Sequence, residues 1–197
     1  MNTLKAEKRS MDVKAKKLRR EGFVTGNLFG REIEGSIPLK FTKKEIEVLL
    51  KNNNKGSQVM LELDGKTYDA LIKEVDYNPL AHTVEEVDFQ ALVSNEMVHS
   101  TAEIILENEE KVMSGVLQDE LKEVAYKALP ADLVDKIKVD VAGMKIGDTL
   151  RVKDLEIAKN KNIHITTDSE AVVATVTPVH NVVPETETET EETAEEK

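Results

Sequence analysis

The chain has 197 residues and a formal net charge of −11, with 40% apolar, 4% aromatic and 33% charged residues. This composition supports small cores of Val, Leu and Ile with much charged surface around them. It excludes several classes: no apolar run is long enough to span a bilayer, the charged start Met1 to Ser10 lacks the apolar stretch of a signal peptide, and without Cys there are no disulfides, thiolate metal sites or thiol nucleophiles. A cytoplasmic protein is the simplest expectation.

The first twenty residues oppose the overall charge. Lys5, Lys8, Arg9, Lys14, Lys16, Lys17, Arg19 and Arg20 stand against Glu7 and Asp12, a net of +6. Asn2 to Glu7 reads as a first strand. Phe23 to Phe29 and Ser36 to Phe41 read as extended segments separated by Gly30 and Gly35. Thr42-Lys43-Lys44-Glu45 fits a capping box, and Ile46, Leu49 and Leu50 follow at helical spacing, so a short amphipathic helix is predicted over 43–52. Val59, Leu61 and Leu63 alternate toward Asp64-Gly65, a strong hairpin signal, with Lys66 to Val75 as the return strand. Asn78-Pro79 breaks that strand, and Thr83 to Leu92 resumes an extended pattern.

Val93-Ser94-Asn95-Glu96 marks a junction. Residues 1–92 carry a net +1 and residues 93–197 a net −12. Beyond the junction, Ala102 to Glu107, Ile137 to Val141 and Val172 to Val176 read as strands. Glu120 to Ala128 fits strand or helix, with strand preferred, and Leu155 to Ile165 carries no clear signal. From Pro184 the chain holds seven Glu, one Lys and no large apolar residue, a composition expected to stay disordered. The expected fold is mainly β with one or two short helices: a domain over 1–92, a β-rich domain over 93–183 and an acidic tail over 184–197.

No enzyme emerges from the motifs. There is no Gly-rich phosphate loop, nucleophile elbow or paired-His metal site, and His82, His99, His164 and His180 are scattered. His82, Glu86 and Asp88 form a weak cluster without a nucleophile. No cofactor or small-molecule substrate is implied. The basic segment is the stronger candidate. It reads either as a solvated charged face or as a nucleic-acid contact. Residues 21–92 carry a net −5, so the basic bias is local. Arg9, Arg19 and Arg20 add forked donors that bridge phosphates or base edges as Lys cannot. With few aromatics nearby, docking on a folded RNA helix suits the segment better than stacking on a single strand.

Lys5-Ala6-Glu7-Lys8-Arg9, Lys16-Lys17-Leu18-Arg19-Arg20-Glu21-Gly22 and Phe29-Gly30 resemble the front of one bacterial ribosomal family. Val75-Asp76-Tyr77-Asn78-Pro79, Glu86-Val87-Asp88-Phe89, the run Tyr126 to Leu133, Ile137 to Val141 and Ile146-Gly147-Asp148 resemble its later landmarks. The family is large-subunit ribosomal protein L twenty-five, including the longer general-stress form called Ctc. The resemblance spans the chain except the tail. It implies an N-terminal β-barrel that binds 5S ribosomal RNA, a second β-rich domain, and a place in the large ribosomal subunit. The RNA would be gripped from its shallow minor-groove side, with a salt-dependent affinity. Position by position, the resemblance assigns RNA contacts to Arg9, Lys16, Lys17 and Arg19, a base- or sugar-accepting role to Asp88, and added phosphate contacts to Lys14 and Arg20.

Three positions depart from the family pattern. Phe29 stands where Tyr is usual, Asp76 where Gln is usual and Glu86 where His is usual. A carboxylate near a phosphate backbone costs about 1 kcal/mol or more depending on screening, and the lost hydroxyl about 0.5–1.5 kcal/mol. Two expectations follow: a ribosomal protein that binds 5S RNA, or a diverged stress-related paralogue that keeps the fold, serves as a protein-interaction module and binds RNA weakly or not at all.

Overall fold

The computed structural model describes residues 3–112 and 115–178; the predicted acidic tail lies outside the described residues. The first eight elements are β1 (Thr3–Lys8), α1 (Ala15–Arg20), β2 (Phe23–Phe29), β3 (Ser36–Thr42), α2 (Lys43–Asn52), β4 (Gln58–Leu63), β5 (Lys66–Asn78) and β6 (Thr83–Ala91). Their strands close a barrel in the order β1-β3-β2-β6-β5-β4. Closure comes from β1, which pairs antiparallel with β3 and parallel with β4, Leu4 facing Leu61. A closed barrel leaves no long edge exposed to other chains.

Alternation fills its interior. Val24, Leu28, Leu39, Phe41, Val59, Leu61, Ile72, Val87 and Phe89 are buried together, and the Phe41 and Phe89 rings pack tilted with centroids 5.4 Å apart. Helix α2 buries Ile46 and Leu49 in the same core. The Thr42 hydroxyl accepts from the Glu45 amide and donates to the Glu45 carboxylate, capping the predicted helix start. Gly26 is required for closure: a Cβ there would lie 2.1 Å from the Val87 carbonyl oxygen across the parallel β2–β6 pair.

The remaining strands are β7 (Val98–Glu107), β8 (Val116–Asp119), β9 (Glu123–Ala128), β10 (Lys136–Asp140), β11 (Thr149–Arg151), β12 (His164–Ile165) and β13 (Val172–Thr177). They form one sheet ordered β10-β7-β9-β12 and another ordered β11-β13-β8. Ala102, Val124, Tyr126, Val152, Leu155 and Val173 make the core between them. Burial holds the Tyr126 phenol above its ordinary pKa, and its hydroxyl donates to the Val134 carbonyl at 2.7 Å and accepts from the Val134 amide at 2.8 Å. The preference for strand over Glu120 to Ala128 is met by β9 from Glu123 onward, while residues 120–122 lie outside any strand. The unassigned stretch 155–165 becomes a short 3-10 turn, Glu156–Lys159, followed by the two-residue strand β12.

Candidate RNA interface

The basic segment is not a free arm. Its front half is β1, built into the barrel wall, and Lys8 ends that strand in a 2.7 Å ion pair with Asp64. Arg9 follows, its amide bonded to the Pro38 carbonyl at 2.9 Å and its guanidinium to the Val13 carbonyl at 3.1 Å. Arg9 therefore folds the loop before α1, although its Nε is buried without a partner among the described residues. The back half is α1, which sequence periodicity missed. The helix has six residues, and Leu18 is the one it buries. Lys17, Arg19 and Arg20 fill its last turn, where cations complement the carbonyl end of a helix.

Lys14 just before this helix and Lys16, Lys17 and Arg20 on it are exposed, with Lys17 3.9 Å from Glu21. Arg19 points the other way. Its Nε donates to the Glu85 carbonyl at 3.2 Å, one terminal nitrogen lies 2.9 Å from the Glu85 carboxylate, and the other lies 3.4 Å from Glu86. The sequence-predicted phosphate contact is thus also the tie between α1 and β6.

Outward-facing positions of four strands extend this surface. Period-two alternation puts Asn27 and the half-buried Phe29 of β2 on the barrel exterior, beside Glu86 and Asp88 of β6. Asn27 donates from its backbone and its side chain to one Asp88 oxygen, each at 3.0 Å, and from its side chain to Glu86 at 3.2 Å. Across the β5–β6 pair, Asp76 faces Glu86 and Glu74 faces Asp88. Like charges in directly opposite positions repel. Glu86 and Asp88 have compensation from Arg19 and Asn27. Among the described residues no side-chain hydrogen bond or ion pair engages the Asp76 carboxylate. On β3, the exterior Lys40 sits 2.8 Å from Glu7 and 5.0 Å from the Phe23 ring centroid.

The structure thus gathers Arg19, Phe29, Asp76, Glu86 and Asp88 on one face, with Lys14, Lys16, Lys17 and Arg20 at the adjoining α1. Arg9 lies in the loop leading to it. Asn27 and Glu85 were not singled out by sequence. The usable signal for Asn27 was its parity with Phe29 inside an apolar strand; Glu85 carried none, because its role depends on a helix 66 positions earlier. Among the described residues, no group of three or more His, Asp or Glu side chains is arranged to hold a metal ion.

The profile of the Ribosomal L25p family matches residues 4–89, the part that builds the barrel and this face. The profile described as ribosomal protein TL5, C-terminal domain, matches residues 97–180. The large ribosomal subunit protein bL25 of Bacillus velezensis is 31% identical over 183 residues, covering 90% of this chain and 89% of its own. Its counterpart in Carboxydothermus hydrogenoformans is 31% identical over 190 residues, with 92% and 94% covered. That of Caldanaerobacter subterraneus subsp. tengcongensis is 30% identical over 196 residues, with 98% of each chain covered. The chain belongs to the bL25 family, in its two-domain form. Within this bL25 chain, the three residues expected from the sequence to depart from the family pattern, Phe29, Asp76 and Glu86, fall on the one barrel face just described. Phe29 closes β2, and Asp76 and Glu86 are cross-strand neighbours.

Proposed function

We propose that this protein is a non-catalytic component of the large ribosomal subunit that binds 5S ribosomal RNA through α1 and the outer face of β2, β6 and β5. One observation carries the reading: Arg19 ties a helix bearing exposed Lys16, Lys17 and Arg20, with Lys14 at its start, to a polar barrel face bearing Asn27, Asp88 and Phe29. The helix supplies phosphate neutralisation. The face supplies donors, acceptors and a ring edge suited to a shallow minor groove with its sugar hydroxyls. We read the chain as a barrel over 1–92, a second domain over 93–183 and an acidic tail over 184–197, working in the cytoplasm.

The test is a mobility-shift titration of the purified chain on 5S RNA, repeated at several salt concentrations. The reading expects a complex whose affinity falls linearly in log–log form with salt. No complex at low salt, beside a relative that binds under the same conditions, would reject it. The direct opposition of Asp76 and Glu86 favours a second reading, a paralogue whose RNA affinity is weakened and whose barrel serves protein contacts. Under that reading Asp76→Gln restores a measurable complex where the parent chain shows none.

A further inference from the structure

The second sheet gathers a lysine and two histidines in one row on an acidic background. Residues 93–197 have a net charge of −12. Yet Lys127 on β9 is the antiparallel partner of both His99 on β7 and His164 on β12. Directly paired residues project from the same side of a sheet, and neighbouring strands lie about 5 Å apart. His99, Lys127 and His164 therefore form a row about 10 Å long, on the face opposite buried Tyr126.

The row starts at the seam between the barrel and this sheet. Lys73 leaves β5 at a register shift between Ile72 and Glu74, and its ammonium donates to the His99 carbonyl at 2.8 Å. Beside it is a cavity of about 210 Å³ lined by Lys55, Gly56, Lys73, His99 and Thr101, among others. The Thr101 hydroxyl is buried and has no hydrogen-bond partner among the described residues. Glu103 and Glu123 face each other four residues along the same strands; Asn54 engages Glu103 at 2.6 Å, and Lys55, itself a lining residue, lies 3.8 Å from Glu123. Burial, then neighbouring Lys55, holds the Lys73 ammonium below its ordinary pKa. Partial desolvation, then Lys127 and Lys73, does the same to His99. An anion among these groups relieves the mutual repulsion.

We propose that this seam cavity and the row of Lys127 and two histidines leading from it bind phosphates of an RNA backbone, a second nucleic-acid contact separate from the α1 face. The open line of Lys73, His99, Lys127 and His164 suits successive phosphates of a strand better than one enclosed ion. The inference extends the RNA-binding reading without depending on the α1 surface.

The experiment follows the His99 and His164 ring resonances of the full chain by NMR over a pH series. It is run alone, with inorganic phosphate, and with a short single-stranded oligoribonucleotide. A parallel chain carries Lys14→Gln, Lys16→Gln and Arg20→Gln, which disables the α1 face. The oligonucleotide is expected to raise both histidine midpoints in the parent and in the α1 variant, and Lys127→Gln is expected to abolish the response. Lys127 is a surface position whose loss leaves both cores intact, and an unchanged amide spectrum verifies that. A response to inorganic phosphate without one to the oligonucleotide would overturn the proposal in favour of a small-anion pocket. No response to either, or a response that survives Lys127→Gln, would overturn it outright. A response confined to the chain with an intact α1 would also overturn it, since the seam would then report binding elsewhere.

Discussion

Arg19 and its carboxylate partners determine how the barrel face presents charge. The guanidinium satisfies a backbone carbonyl and two carboxylates, with its side chain 30% exposed. At that exposure each ion pair contributes modestly, so Arg19→Ala should cost about 1 kcal/mol in urea unfolding. Arg19→Lys should recover part of this, since it keeps the charge but loses the fork. The same network separates Asp76 from Glu86. Glu86 shares its charge with Arg19 and Asn27, whereas Asp76 has neither. Removing the uncompensated charge should matter more for a polyanion. Asp76→Gln is expected to tighten 5S RNA binding by about fivefold, roughly 1 kcal/mol, and Glu86→Gln by less. Titrations at one fixed salt concentration check the order; equal or reversed effects would mean that Arg19 does not shield Glu86.

At the scale of elements, the seam depends on one glycine. Gly56 has φ +90°, and a Cβ there would lie 1.9 Å from the Thr101 carbonyl oxygen of β7. Gly65, in the β4–β5 turn, has a similar φ of +77° with open space around it. Gly65→Ala should therefore cost about 1 kcal/mol in backbone strain alone, and Gly56→Ala at least about 2 kcal/mol more, because backbone must move. Chemical denaturation of both variants measures the difference. Local patterns explain which elements were legible in advance. Strand β4 shows alternation, α2 has a cap and an apolar stripe, and the β4–β5 hairpin has Asp64-Gly65. Helix α1 was hidden because six residues with a single buried side chain leave no period to detect. The parallel β1–β4 and β2–β6 pairings were hidden because they join segments far apart in the chain. For the same reason the basic residues were legible as a cluster, while Arg19's protein partners were not.

At the scale of the whole molecule, several groups make stability depend on pH in one direction. The Ala142 amide, then Asn108, hold the Asp140 carboxyl below its ordinary pKa. Lys153, with Arg151, holds Glu170 down. Partial desolvation, then Lys127 and Lys73, holds His99 down. A group whose folded pKa is depressed binds fewer protons folded than unfolded, so its stabilising effect is present above the unfolded pKa and is lost as pH falls through the folded one. Stability should therefore decline in two stages on acidification. The first begins below about pH 6.5 and belongs to His99; the second begins below about pH 4 and belongs to the two carboxylates. His99→Gln should remove the first stage and leave the second. Urea midpoints measured from pH 7 to pH 3 test this, and a first stage that persists in His99→Gln would assign it to another group. If RNA phosphates occupy the seam, they favour protonated His99, so the first stage should also shrink when an oligoribonucleotide is bound.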